Sequence, residues 1–354
     1  MHHRIVSPRL GALLIVGLTA ALTFGCATPA KATSPTAQTT APAVADAPAV
    51  QAAEDSASEA LAAYRGASPA CFAVLEKALA LGGQGAYKSA FAALEAFDPA
   101  NADPYALAFK TELLLEGHAR SLLHRSFGLK DLGPGDDLEA MRRGEDPAAA
   151  ALEMIAFDPP ALAAALAAKG RAAPAVLEQA IGDYYYEVLR LFEGAWLLED
   201  KELRERAAAA YGRAVAGGLA SLPNSLRMAQ IFIGLERFDD ADRAFRAGIE
   251  LSPYDGELRL NHASFLLMRE LRSEAMAAID AALAAFAAAA EVGAADAERR
   301  FEAYVLGVRA ASELGEWGRV EGYLAAAEKA FPNEPAPGLL RHYAAVESGR
   351  VPEA

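Results

Sequence analysis

The chain of 354 residues holds only two cysteines, Cys26 and Cys71, and six histidines. Two thiols cannot build a disulfide framework, and no thiols and imidazoles cluster at metal-ligand spacings, so neither a cofactor nor a metal is expected. Strand-forming residues are also sparse: aromatics are 8% of the chain, while about a quarter of it is alanine. Alanine favours helix and lets helices pack closely, whereas strands draw on Val, Ile, Thr and aromatics. An all-β protein is excluded, and an all-α one is expected. Positive charge is short as well. With 33 basic against 47 acidic side chains the net charge is −14, and removing the first 25 residues, which hold Arg4 and Arg9 and no acid, deepens it by two. Such a body repels phosphate backbones, which argues against nucleic acid as a partner.

Catalytic motifs are missing too. No His-Glu-x-x-His, no Gly-x-Ser-x-Gly and no phosphate-binding glycine loop occurs, so no enzyme is expected. A hydrolase site hidden in the irregular first half is the third-ranked alternative. Gly82-Gly83-Gln84-Gly85 lies between two helical stretches with no strand before it and reads as a helix stop. Asp131, Asp136, Asp137 and Glu139 lack the alternating spacing of a calcium loop and read as a solvated acidic loop.

What is present begins with an address. His2, His3, Arg4 and Arg9 precede a 15-residue apolar stretch, Leu10 to Phe24, ending at Gly25-Cys26. That is too short to span about 30 Å of hydrocarbon but suits an export signal over residues 1–25. Thr23-Phe24-Gly25-Cys26 resembles the end of a bacterial lipoprotein signal at Gly25 and Cys26 and departs from it at Thr23 and Phe24. The resemblance implies a lipid on Cys26 and anchoring in the cell envelope. Ordinary secretion, with cleavage after Ala30-Lys31-Ala32, stays open as the alternative. Residues 26–55 are rich in Ala, Thr and Pro without an aromatic or an apolar face, and are expected to form a disordered tether. As a coil it would reach on the order of 30 Å, and fully extended up to about 95 Å. Cys71 is left without a partner and is expected to behave as a small apolar residue.

Residues 188–340 carry an internal repeat. Ala207, Ala241 and Ala275 are spaced by 34, each followed four residues later by Tyr211, Phe245 or Ile279 and seven later by Ala214, Gly248 or Ala282. Twelve before each stand Ala195, Ala229 and Ala263, and a fourth copy follows 45 residues on with Val320, Leu324, Ala327 and Pro332. This register, with Pro253 closing the second copy, resembles the tetratricopeptide repeat (TPR). The resemblance implies an α-solenoid of antiparallel helix hairpins, in which small residues at each crossing admit an aromatic from the next helix. The insertion before the fourth copy reads as a lengthened helix through residues 274–290.

Residues 56–187 are expected to be helical but irregular. A helix–turn–helix is predicted over 71–99, with Ala78, Tyr87, Ala90 and Leu94 in repeat-like places. One long amphipathic helix is predicted over 104–127, capped by Asp103, then a loop over 128–147 and helices over 147–157, 159–169 and 174–199. On a single helix His118 and His124 would lie about 240° apart and could not share a metal, leaving one at the surface and one at an interface. Residues 341–354 read as a tail.

The repeat resemblance also implies a concave groove lined by the first helix of each pair. Carried over copy by copy, it supplies Phe192, Glu193 and Trp196, then Leu226, Arg227, Gln230 and Ile233. The third copy supplies Leu260, Asn261, Ser264 and Leu267, and the fourth Val305, Leu306, Arg309 and Ser312. Trp196 would anchor a partner, Arg227 and Arg309 would hold a carboxylate, and Gln230, Asn261 and Ser264 would orient it. The competing reading packs Trp196 on the preceding helix and pairs the arginines with Glu193 and Asp200 or with water. The expected function is an exported, lipid-anchored scaffold for an envelope protein or peptide. The runner-up resembles the TPR lipoproteins that accompany TRAP-type solute transporters.

Overall fold

A computed structural model describes residues 60–291 and 296–347. The expectations for the signal segment, Cys26, the tether and the last seven residues lie outside them. After a 3-10 turn at Ala62–Tyr64 come α1 (Pro69–Gly83), α2 (Tyr87–Phe97) and α3 (Pro104–Gly117). Three short strands follow, β1 (His118–Leu122), β2 (Ser126–Leu129) and β3 (Met154–Ala156), with α4 (Leu138–Arg142) and a 3-10 turn at Pro147–Ala151 between the last two. Helices then continue as α5 (Pro159–Ala168), α6 (Ala175–Phe192), α7 (Asp200–Ala216), α8 (Leu222–Gly234), α9 (Phe238–Leu251) and α10 (Gly256–Met268). The series ends with α11 (Arg272–Glu291), α12 (Ala297–Glu313), α13 (Trp317–Ala330) and α14 (Ala336–Glu347).

Local chemistry accounts for where the helices start. Ser68, Asp103 and Asp158 each cap a helix whose first residue is proline, a residue that gives up an N–H no helix start could use. Asp255 and Asp296 cap α10 and α12 in the same way.

Consecutive helices then pair: α6 with α7, α8 with α9, α10 with α11 and α12 with α13, each pair packing on the next, with α14 covering the end. The fold is an α-solenoid of antiparallel hairpins. Ala207, Ala229, Ala241, Ala263 and Ala275 are fully buried, as are Tyr211 and Ile279, with Phe245 nearly so. Close approach is literal at these crossings. A methyl added to Gly182 of α6 would stand 2.7 Å from the Tyr211 ring, and one on Gly307 of α12 would stand 3.0 Å from the Tyr323 ring. The lengthened helix is there as α11, 20 residues long.

The first half departs from expectation at three places. The predicted 104–127 helix stops at Gly117, where any side chain would collide with the Tyr87 ring. The His118 Nδ1–H donates to Leu114 O at 2.8 Å, and Arg142 Nε donates to His118 O at 2.9 Å while its other nitrogen reaches Glu116 O. Side chains thus take the carbonyls that another helical turn would have used. Residues 118–129 instead form a hairpin, extended in the order β1-β2-β3 by β3, which lies where a helix over 147–157 was predicted. The helix predicted over 174–199 ends at Phe192, so the first hairpin begins at Ala175 rather than near 188, and Ala195 lies exposed in a turn. The expected tail is helical through Glu347 as α14.

Candidate functional site

Helix α3 packs along α6, the first of the four helices, α6, α8, α10 and α12, that open the successive pairs. Side chains on these four are half-exposed and tied across neighbouring helices. Asp183 of α6 pairs with Arg227 of α8 and accepts the Tyr211 hydroxyl at 2.6 Å. The Tyr186 hydroxyl donates to Gln230 Oε1 at 2.5 Å, and Arg227 lies over the Tyr186 ring with its guanidinium carbon 5.4 Å from the centroid. Farther along, Arg299 of α12 donates to Asn261 of α10 at 2.8 Å and pairs with Glu302.

Of the fifteen side chains expected to line a groove, most of the polar ones are already bonded within the fold. Gln230 and Asn261 are acceptors in the cross-helix bonds above. The Ser264 hydroxyl donates to Leu260 O of its own helix at 3.0 Å, and Arg309 pairs with Glu313 at 3.0 Å. Arg227 is committed to Asp183, and Asp200 caps the turn by accepting from Gly194 N at 3.0 Å, so neither Glu193 nor Asp200 pairs with the arginines. Phe192 meets the His124 ring edge-on at 5.5 Å.

Trp196 lies beyond the end of α6, in the turn to α7. Its indole N–H donates to Leu123 O at the hairpin tip, and its ring meets Tyr184 edge-on at 6.4 Å. It therefore packs on the preceding helix and fastens the hairpin to the first repeat. Beside it opens a cleft of about 430 Å³ lined by Arg125, Asp158, Tyr185, Trp196, Leu197 and Arg206. Arg125 grips Asp158 through two nitrogens at 2.7 and 2.8 Å, and Arg206 pairs with Glu202 at 2.6 Å.

The two histidines are corrected most sharply. Both are buried, their rings 5.1 Å apart, and with Phe127 and Phe192 they fill the space under the hairpin. Burial and the nearby Arg142 push His118 down to about 4, and burial followed by His118 and Arg190 pushes His124 down to about 3. Leu123 and His124 both take φ near +50° in a two-residue turn closed by Arg125 N on Leu122 O at 3.0 Å. Side chains there are strained, and neighbouring contacts must hold them. Cys71 is buried and in no disulfide, with its sulfur 3.6 Å from Asp103 Oδ1. Among the described residues no three potential ligands gather for a metal; Asp131 accepts from Ser89, Asp136 pairs with Lys130 and Asp137 caps α4.

Glu112 of α3 was not foreseen. It is half-buried on the face toward α6, and burial with the nearby Asp183 raises its carboxyl to about 8. A glutamate within an apolar helix carries no local signal of this, because its surroundings come from Tyr64 and Asp183, far away in sequence.

No protein-family model matches the chain, and no curated protein matches its sequence. Solved structures resemble it distantly. PilF of Pseudomonas aeruginosa is 15% identical with a TM-score of 0.42, covering 77% of this chain and 97% of its own. PilW, described as a widely conserved type IV pilus biogenesis factor, is 13% identical with a TM-score of 0.43, covering 78% and 100%. The Cut9–Hcn1 hetero-tetramer of the APC/C is 15% identical with a TM-score of 0.31, covering 85% of this chain and 53% of that one. The solenoid architecture of this chain stands on its own helix packing.

Proposed function

We propose that the chain is an exported scaffold, anchored through a lipid on Cys26, that binds a protein or peptide of the cell envelope along the first helices of the successive pairs. The observation that carries this reading is the pre-set polar row: Asp183–Arg227, Tyr186–Gln230 and Asn261–Arg299 each bridge two helices while staying partly open to solvent. Side chains already held in place lose little freedom when a partner docks, so their bonding capacity goes into affinity. Gln230, Asn261, Ser264 and Arg309 would meet the partner's backbone and carboxylates. Arg227, held by Asp183, would set the depth of the groove, and Phe192 and Trp196 would shape its end at the hairpin.

The test is capture of partners from native membranes by the full chain, against an Asn261→Arg, Ser264→Arg variant whose circular dichroism matches wild type. A partner recovered by wild type and lost by the variant is expected. Recovery of nothing, or equal recovery by both, overturns the reading. Intact mass against Cys26→Ser tests the anchor: a chain beginning at Cys26 and heavier by acyl chains is expected, and an unlipidated chain beginning near Thr33 would overturn it.

A further inference from the structure

The cleft beside Trp196 exists because of what α5 lacks. Its face toward α6 carries Pro160, Ala161 and Ala164, short side chains that leave space between the helices. The resulting volume of about 430 Å³ falls within the range of small-molecule sites, roughly 300–1,000 Å³. The opposite wall is Tyr185, Trp196, Leu197 and Leu198. Its rings are fixed: Trp196 by its bond to Leu123 O and its edge contact with Tyr184, and Tyr185 by its own edge contact with Tyr184 at 5.6 Å. Leu197 stands 57% exposed beside them, an apolar surface left open to water.

The charges at the cleft do not balance. Two guanidiniums, of Arg125 and Arg206, and one carboxylate, of Asp158, line it, an excess of one positive charge in a chain of net charge −14. Arg125 uses Nε and one terminal nitrogen on a single Asp158 oxygen, at 2.8 and 2.7 Å, and its other terminal nitrogen makes no hydrogen bond among the described residues. Arg206 uses Nε and one terminal nitrogen on Glu202, at 3.2 and 2.6 Å, and the other donates to the Tyr185 hydroxyl over a long 3.3 Å. Glu202 is half-exposed, one turn back on α7 and outside the cleft, and a pair so open to solvent contributes little. Both guanidiniums therefore keep N–H donors for an acceptor arriving in the cleft.

We propose that this cleft is a binding site for a small amphipathic monoanion, an aliphatic body carrying a single carboxylate. The body lies in the slot between the short side chains of α5 and the wall of Tyr185, Trp196 and Leu197, where it covers apolar surface now open to water. The carboxylate accepts charge-assisted bonds from Arg125 and Arg206 and cancels the excess positive charge. A cation meets that excess as repulsion, and a neutral alcohol gains the burial without the charge. Walls held in place by Leu123, Tyr184 and Glu202 lose little freedom when the ligand enters. The site goes beyond the scaffold reading and does not rest on it.

The chain has two tryptophans, Trp196 and Trp317, so Trp317→Phe leaves Trp196 as the sole reporter on the cleft wall. The experiment titrates this full chain, in an uncharged detergent, with octanoate, octanol and octylammonium, following Trp196 emission against empty micelles. Expected are a saturable change with octanoate, at least tenfold weaker binding of octanol, and no saturable change with octylammonium. Arg206→Gln should weaken octanoate at least fivefold and leave octanol as it was, which a merely structural role of Arg206 would not do. Ala164→Phe, which fills the slot without touching either arginine, should abolish both, with circular dichroism matching wild type. Octanoate and octanol binding alike, octylammonium binding more tightly, no saturable response, or either variant binding octanoate like the parent chain would overturn the site. The acidic peptide Ac-Ala-Leu-Leu-Glu-NH₂ binding tenfold tighter than octanoate would overturn the assignment to a small ligand.

Discussion

The indole N–H of Trp196 donates a 2.9 Å hydrogen bond to the carbonyl oxygen of Leu123, 73 residues earlier in the chain. That bond joins the turn after α6 to a hairpin tip held in a left-handed conformation, and so ties the irregular half to the first repeat. Trp196→Phe keeps an aromatic ring beside Tyr184 but loses the bond and part of the packed ring, and should cost at least about 1 kcal/mol in urea unfolding. The same variant should speed hydrogen exchange of the Arg125 amide, which closes the tip. Unchanged exchange there would show that the bond does not hold the hairpin.

Acid should loosen the same region. His118 and His124 are held neutral in the fold, at about 4 and about 3, whereas the unfolded chain protonates them near 6.5. Below about pH 6.5 the unfolded state takes up protons that the folded state refuses, so stability is full above that pH and falls as pH drops. The loss should be on the order of 3 kcal/mol for each histidine by about pH 4. Replacing His124 by Phe should flatten that decline, read as the midpoint of chemical unfolding at pH 7 and pH 4.5.

Two glycine-to-alanine changes should move stability in opposite directions. At Gly182 the added methyl meets the Tyr211 ring at 2.7 Å, and Tyr211 cannot swing aside because its hydroxyl is held by Asp183. Overpacking there should cost about 1–3 kcal/mol. At Gly212, in the middle of α7, nothing lies within 4 Å, so alanine should gain up to about 1 kcal/mol through helix propensity. Thermal melts of the two variants give the comparison.

Removing the buried ammonium of Lys110 should be severe. Lys110→Met leaves Glu95, Asp98 O and Asn101 without their common donor, and should cost about 3 kcal/mol, the lower end for a broken buried pair because Glu95 can turn to water. Equilibrium denaturation checks the value, and a loss under 1 kcal/mol would mean that water replaces the ammonium.

Spacing along the chain was enough to read the repeats. Small residues at intervals of 34, with aromatics four further on, place one stripe per helix, and packing of such stripes depends on neighbours within one or two helices. The caps at Asp103 and the break at Gly82–Gly85 are equally local. The hairpin at 118–129 was not legible, because Gly117 ends α3 only where Tyr87 crosses it and Arg142 reaches back to its carbonyls. Nor was the placement of Trp196, which the repeat register sets on a helix that ends four residues earlier.

The candidate site divides along the same line. Which residues stand on the first helix of each pair follows from periodicity, a property of the chain itself. Which of them are already satisfied, Arg227 by Asp183 and Asn261 by Arg299, was decided by contacts between segments tens of residues apart. Charge and hydrogen-bond capacity belong to a side chain, but whether they are spent inside the fold or left for a ligand depends on what tertiary packing brings within about 3 Å.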